Sequence, residues 1–158
     1  MKLIAGMAAA GTVGFVWGGA ADAQGRADLA KGEKAICADL AVRAEGLSAS
    51  FVEKGWWRLA SLDGLVTPDG RNYASTNRTS VFAIEVTSAK NLADVTTVRA
   101  DQAKRREAVR TADGLRVVYS DFPERLEQVV CTVRADGDQL RWRISLSPKA
   151  GFAATKVD

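Results

Sequence analysis

Four Asp-Gly pairs punctuate the chain after residue 55, and they constrain its fold more than any other feature. The pairs are Asp63-Gly64, Asp69-Gly70, Asp113-Gly114 and Asp136-Gly137. Asp-Gly is favoured in two-residue hairpin turns because both central residues of such turns adopt positive φ angles. The segments between the pairs alternate between apolar and polar residues, as strands with one buried face do. The sequence therefore predicts an antiparallel meander sheet of about five strands.

The last hairpin shows the most regular alternation. With Asp136-Gly137 as a two-residue turn, the opposed residues are Val133 and Leu140, Cys131 and Trp142, and Val129 and Ile144. All six side chains then point to one face of the sheet, and mainly polar residues point to the other. A shift of one residue would mix the two faces, so the alternation favours this register.

The other strands are predicted from β-branched and aromatic residues at alternating positions. They are Trp56–Leu62, Val81–Thr87 and Leu115–Ser120. The pattern of Asn91–Thr111 fits both a helix and a strand, and we expect a short helical piece followed by a strand from about Arg105. Gly151–Asp158 is expected to be a loose tail.

The segment before Gly55 has a helical period instead. Its apolar residues recur at steps of seven, four and three between Leu29 and Lys54, which predicts one long helix with a buried stripe. Gly46 weakens the case for an unbroken helix, and Gly55 is a suitable stop. The predicted fold class is therefore α+β, with one long N-terminal helix packed on the meander sheet. In outline this architecture is similar to cystatin-like rolls, although no cystatin motif is present.

The first 23 residues have the organisation of a cleavable export signal. Lys2 precedes an apolar run over residues 3–20, and Ala21-Asp22-Ala23 supplies the small residues that a signal peptidase recognises. An uncleaved membrane anchor is the alternative, since the run is near the minimum length for a span. The five glycines of the run favour a signal peptide, residues 1–23, followed by one globular domain, residues 24–158. We therefore expect a periplasmic or secreted protein, with no membrane insertion after cleavage.

The two cysteines, Cys37 and Cys131, predict one disulfide in an exported chain. The alternative is a pair of free, buried thiols. Because the predicted helix carries Cys37 and the last hairpin presents Cys131 on its buried face, the bridge would join helix to sheet.

The absence of histidine excludes several catalytic systems. Ser-His-Asp and Cys-His nucleophiles are impossible, and so are metal sites built on imidazole. Gly-rich phosphate loops and the Gly-x-Ser-x-Gly elbow are also missing from the sequence. We therefore predict no cofactor and no metal site, and we expect binding rather than catalysis. Glycoside cleavage would need one protonated and one ionised carboxylate, and the candidates are Glu53, Glu85, Asp121, Glu124 and Glu127.

Two groups of residues are candidate binding sites. Arg134, Arg141 and Arg143 project from the polar face of the last hairpin, where they suit an acidic partner; the alternative is an ordinary solvated face. Trp56 and Trp57 are adjacent, so on a strand one indole would be exposed and could stack on a sugar ring. The alternative for this pair is that both rings seal the junction of helix and sheet.

A basic segment is a further candidate, with an ordinary solvated face as its alternative. Its residues are Arg99, Lys104, Arg105, Arg106, Arg110 and Arg116. The formal net charge of +3 falls short of a nucleic-acid footprint.

These features predict a non-catalytic exported binding protein that engages a protein or an anionic envelope component. Inhibitors, immunity factors and envelope-assembly accessories belong to this class. The alternative prediction is a carboxylate-dependent hydrolase or binder of cell-wall glycan. The sequence determines neither the partner nor the oligomeric state.

Overall fold

The computed structural model describes residues 39–74 and 76–158, together with the backbone of Val13–Val16. Within these ranges the chain forms eleven strands, one short 3-10 helix at Ala100–Gln102 and no α-helix. The strands are β1 (Val13–Val16), β2 (Ala41–Arg43), β3 (Ser48–Phe51), β4 (Leu62–Val66), β5 (Ala83–Ser88), β6 (Asn91–Arg99), β7 (Arg105–Arg110), β8 (Gly114–Ser120), β9 (Leu126–Asp136), β10 (Gln139–Pro148) and β11 (Phe152–Val157).

The strands form three antiparallel sheets that surround one core. The meander sheet has the order β1-β10-β9-β8-β7, the β5 sheet has the order β11-β5-β6, and the β3 sheet has the order β2-β3-β4. All three sheets contribute to a single cluster of buried apolar residues. Tyr119 of β8 lies at its centre, where it meets the ring of Phe82 edge-on at 5.0 Å and donates a hydrogen bond of 2.7 Å to the carbonyl of Leu59.

The predicted helix is wrong in its described part, because residues 39–54 contain β2 and β3. Val42, Ala49 and Phe51 are buried from strands, on which alternate side chains share a face. The two strands are joined through Gly46, where a Cβ atom would lie 2.7 Å from the carbonyl of Asp138. Residues 29–38 of the predicted helix lie outside the described residues. The described chain is thus nearly all β, and both the α+β class and the cystatin-like outline are incorrect.

The predicted disulfide is also wrong, because Cys131 is a free, fully buried thiol. Cys37 lies outside the described residues, and no described helix packs over β9. Burial in the core raises the pKa of the Cys131 thiol to about 12, because the ionised form would lose its hydration.

The last hairpin has the predicted faces but not the predicted register. Cys131 lies opposite Ile144 and Val133 opposite Trp142, a shift of two residues that keeps the apolar set on one side. The turn is Gly137-Asp138 rather than Asp136-Gly137, since Asp136 pairs with Gln139. Gly137 has a φ of 58° while Asp138 does not have a positive φ. Glycine at the first central position is the preference of a type II′ turn.

Most of the other segments contain more strand than predicted, and one contains less. The strands predicted near Val81–Thr87 and Leu115–Ser120 are present as β5 and β8. The ambiguous region 91–111 contains β6 before β7, and the predicted tail forms β11. Trp56–Leu62, predicted as a strand, is a turn that leads into β4.

Two of the glycines expected in turns have other roles. Gly64 lies within β4, and Gly114 opens β8. A Cβ atom on Gly114 would lie 1.9 Å from the carbonyl of Val133, so glycine is required there by the close approach of β9.

Candidate functional site

The three predicted arginines lie together on the outer face of the meander sheet. Arg141 is directly opposite Arg134, and Arg143 is opposite Thr132. Arg116 of β8 lies opposite Thr132 on its other side, so it joins the same face. Neighbouring strands are about 4.8 Å apart. These four residues, Arg116, Arg134, Arg141 and Arg143, are named the arginine face.

Two members of the arginine face form ion pairs in solvent. Arg134 lies 3.5 Å from the carboxylate of Asp113, and Arg141 pairs with Asp136. The arginine side chains are nevertheless 57% and 60% exposed. Exposed ion pairs contribute little free energy, so both guanidinium groups remain available to a partner.

The centre of this surface is apolar and partly covered. Val118 lies opposite Val130, and Val118 is only 6% exposed although it points away from the core. Arg143 is half-buried, and its Nε atom has no acceptor in the described part of the chain. A buried donor without an acceptor is unfavourable. An apolar centre with an arginine rim has the composition of a protein interface.

The tryptophan pair lies on the turn between β3 and β4. Trp56 is 72% exposed, whereas Trp57 packs against the core. Gly55 has a φ of 78° and Leu59, a fully buried non-glycine residue, has a φ of 60°. Leu59 is held in this unfavourable conformation by packing and by the hydrogen bond from Tyr119. The exposure of Trp56 therefore results from a fixed turn.

Arg106 donates to four backbone carbonyls, two on this turn and two in the segment between β6 and β7, and so joins the turn to the meander sheet. Its Nη1 atom donates to the carbonyls of Trp56 at 2.6 Å and Arg58 at 3.0 Å. Nε donates to Ala103 at 2.9 Å, and Nη2 donates to Asp101 at 2.8 Å. The guanidinium carbon also lies 6.0 Å from the centre of the Trp56 ring, within cation–π range.

A cavity of about 660 Å³ opens beside the exposed indole. Arg58, Gln102 and Lys104 line it together with Trp56. Asp101 is the single carboxylate in the lining, and its Oδ1 atom is buried without a donor in the described chain. The carboxylates proposed from the sequence do not line this cavity, so the cavity does not bring together the pair that glycoside cleavage requires.

A second cavity, of about 490 Å³, includes three carboxylates: Asp39, Glu53 and Asp63. The backbone N–H of Ala41 and the side chain of Arg43 donate to Asp39, and these bonds hold the pKa of that carboxyl below its usual value. A group that is ionised in this way does not serve as the protonated acid of a hydrolase.

The basic segment is not a continuous charged surface. Arg106 is committed to carbonyl groups, and Arg110 donates to the carbonyls of Ala41 at 2.8 Å and Asp39 at 3.0 Å. Arg105 pairs with Glu107 on its own strand. The contacts of Arg106 and Arg110 with the chain had no sequence signal, because they are made mainly to backbone carbonyls, which every residue has; Arg110 also pairs with the carboxylate of Asp39 at 3.2 Å.

Family models, curated proteins and solved structures all fail to match this chain. Within the described ranges, no group of three histidine, cysteine or acidic side chains is placed to hold a metal ion. No helix of the described part is long and apolar enough to cross a membrane.

Proposed function

We propose that this chain is a non-catalytic, exported binding domain that engages an acidic partner through the arginine face. The opposition of Arg134 and Arg141 supports this proposal most directly. Like charges directly opposite each other destabilise a sheet, and an anionic partner would remove that repulsion.

An acidic protein is the partner that fits this surface best. Arginine forms bidentate hydrogen bonds with carboxylates, and the exposed guanidinium groups of Arg134 and Arg141 are placed to bind them. An inhibitor, an immunity factor or an envelope-assembly accessory would use such a face.

Export is proposed from the N-terminal sequence. Cleavage before Gln24 would place the protein in the periplasm or outside the cell. It would also remove β1, which pairs only with β10, and would leave β10 at the edge of the meander sheet. N-terminal sequencing of exported protein should therefore start at Gln24; a chain that retains Lys2 would contradict the signal.

The partner is tested by affinity capture from periplasmic extract. The baits are the wild type, an Arg134→Ala/Arg141→Ala/Arg143→Ala variant, and a control with Arg43→Ala, Arg71→Ala and Arg78→Ala on other surfaces. We expect an acidic protein that binds the wild type and the control, is lost with the arginine-face variant and is released by salt. An unchanged set of captured proteins would eliminate this face.

The glycan alternative consists of two separate proposals, a hydrolase and a non-catalytic binder of glycan. The hydrolase proposal gains no support at the indole, because the Trp56 cavity has one carboxylate in its lining and the second cavity, which has three, is not lined by a tryptophan. The binding reading is favoured by the exposed indole of Trp56. Release of products from purified wall glycan would show that the protein is an enzyme after all.

A further inference from the structure

The turn that carries Trp56 holds the indole ring of this residue in solvent. The side chain is 72% exposed, yet Arg106 binds the carbonyls on both sides of Trp57, those of Trp56 and Arg58. Tyr119 holds the carbonyl of Leu59, which has a φ of 60°. Strained and firmly held backbone is concentrated at binding and catalytic sites. An exposed aromatic ring on such a support is preorganised for a ligand.

One face of the indole is available for stacking. Arg106 approaches the ring to 6.0 Å, and the side chain is still mostly exposed. The opposite face is therefore open to solvent. An indole face binds the C–H surface of a sugar ring well because both partners are flat and apolar there.

The groups beside the ring are hydrogen-bond donors with a net positive charge. Lys104 is exposed and makes no ion pair among the described residues. The Oε1 atom of Gln102 accepts from the backbone N–H of Arg99 at 2.9 Å, so its NH₂ group is left to donate. Arg58 completes the basic side of the cavity, and Asp101 is the only acid there.

From these observations we infer that the cavity beside Trp56 is a second binding site, for an anionic saccharide. The sugar ring stacks on the open face of Trp56, and its carboxylate or phosphate lies near Lys104. This site is separate from the arginine face, and it does not depend on the partner proposed there. A nucleotide base would also stack on a single indole beside basic groups, and adenosine monophosphate is therefore the competing ligand in the test.

The test follows the indole N–H signals by NMR during titration. The probes are a uronic-acid oligosaccharide, a hexose phosphate, a neutral N-acetylglucosamine oligomer, inorganic phosphate and adenosine monophosphate. We expect the two anionic sugars to shift the Trp56 signal and to saturate, with the neutral oligomer weaker and inorganic phosphate weakest. The source of the anion, carboxylate or phosphate, is identified by which of the two sugars binds more tightly.

Matched variants separate stacking from charge. Because Trp56→Ala and Trp56→Phe lack the indole signal, their affinities and that of the wild type are compared by isothermal titration calorimetry. Trp56→Ala should weaken binding of the anionic sugars by about tenfold or more, and Trp56→Phe should weaken it less. Lys104→Gln should weaken the anionic sugars and leave the neutral oligomer unchanged. Tyr73→Ala and Lys90→Gln alter an exposed aromatic residue and an exposed lysine elsewhere, so both should bind as the wild type does.

Three results would overturn the site. They are the absence of saturable binding at millimolar sugar, equal affinity in Trp56→Ala, and tighter binding of adenosine monophosphate than of either anionic sugar. An unchanged circular dichroism spectrum and an unchanged Trp142 signal in each Trp56 and Lys104 variant show that the domain is folded. The arginine-face variant should bind the sugars normally, so failure of one proposal is distinguishable from failure of the other.

Discussion

The two faces of the meander sheet use arginine in opposite ways. On the inner side of β7, Arg106 lies opposite Tyr119 and Arg110 opposite Leu115, both of which are fully buried. These two arginines donate to backbone carbonyls of the Trp56 turn and of the segment around β2. On the outer face, Arg134 and Arg141 project into solvent beside carboxylates. The same residue type joins the sheets on one side and presents charge on the other.

The difference shows that the acceptor determines the role of an arginine. A charged donor on a partly buried carbonyl contributes about 1.5–3 kcal/mol, and its loss leaves the carbonyl without a partner. Arg125 follows the inner pattern, since its side chain is 11% exposed and donates to the carbonyls of Val86 and Asp94. An exposed pair contributes about 0–1 kcal/mol. We therefore expect the functional arginines at positions where their loss changes the free energy of unfolding little.

The largest effect is expected from adjacent arginines on opposite faces of β7. Arg106→Ala should lower the free energy of unfolding by about 2 kcal/mol, because four carbonyls lose their donor. Arg105→Ala, which removes only the pair with Glu107, should change it by less than about 0.5 kcal/mol. Denaturant unfolding followed by circular dichroism measures both. Equal losses would show that the two faces do not differ in this way.

At neutral pH a smaller effect is expected from the buried thiol on the inner face, because its contribution to stability is lost only at alkaline pH. The pKa of Cys131 is about 12 in the folded protein and near 9.0 when exposed, so the neutral thiol stabilises the fold below pH 9. As the pH rises above 9, the unfolded thiol ionises first, and about 1.4 kcal/mol is lost for each pH unit up to the folded pKa. Burial also raises the pKa of Tyr119, so a part of the alkaline loss remains in any Cys131 variant.

Cys131→Val isolates the contribution of the thiol. The variant should have a shallower decline of stability between pH 9 and 12 than the wild type, measured by denaturant unfolding at each pH. The native thiol should also fail to react with an aromatic disulfide reagent until the protein unfolds. Rapid reaction of the folded Cys37→Ser variant, in which Cys131 is the single cysteine, would contradict the burial of Cys131.

Strand faces could be predicted from the sequence because side chains alternate strictly along a strand. Val129, Cys131 and Val133 point inward as the alternation indicates. The register could not be predicted in the same way, since Asp136-Gly137 and Gly137-Asp138 are both good turn pairs, and they differ by two residues in the pairing. In the observed register Trp142 of β10 meets the ring of Phe51 of β3 at 5.8 Å, a contact between two sheets that no local pattern predicts.

The helix was predicted wrongly because apolar steps of four and three also occur by chance in a pair of strands. Leu40 and Phe51 are both buried, but they lie on opposite sides of a turn through Gly46. Only a part of the candidate site could be predicted from the sequence. Trp56 is exposed, but it lies on a turn and not on the strand from which the exposure of one indole was predicted. The bond from Arg106 to the carbonyl of Trp56 joins residues 50 positions apart and has no local pattern.

The smallest effect on stability is expected at the arginine face itself. Arg134→Thr places a good strand former opposite Arg141, relieves the repulsion between the two charges and removes the long pair with Asp113. These contributions oppose each other, so the free energy of unfolding should change by less than about 0.5 kcal/mol. The difference from the wild type should shrink further as salt is added, because both charge terms are screened. Denaturant unfolding at low and high salt measures it, with Arg110→Thr on the inner side as the matched comparison. A loss at Arg134 as large as that at Arg110 would mean that the outer arginines stabilise the fold, and it would leave no reason to assign them to a partner.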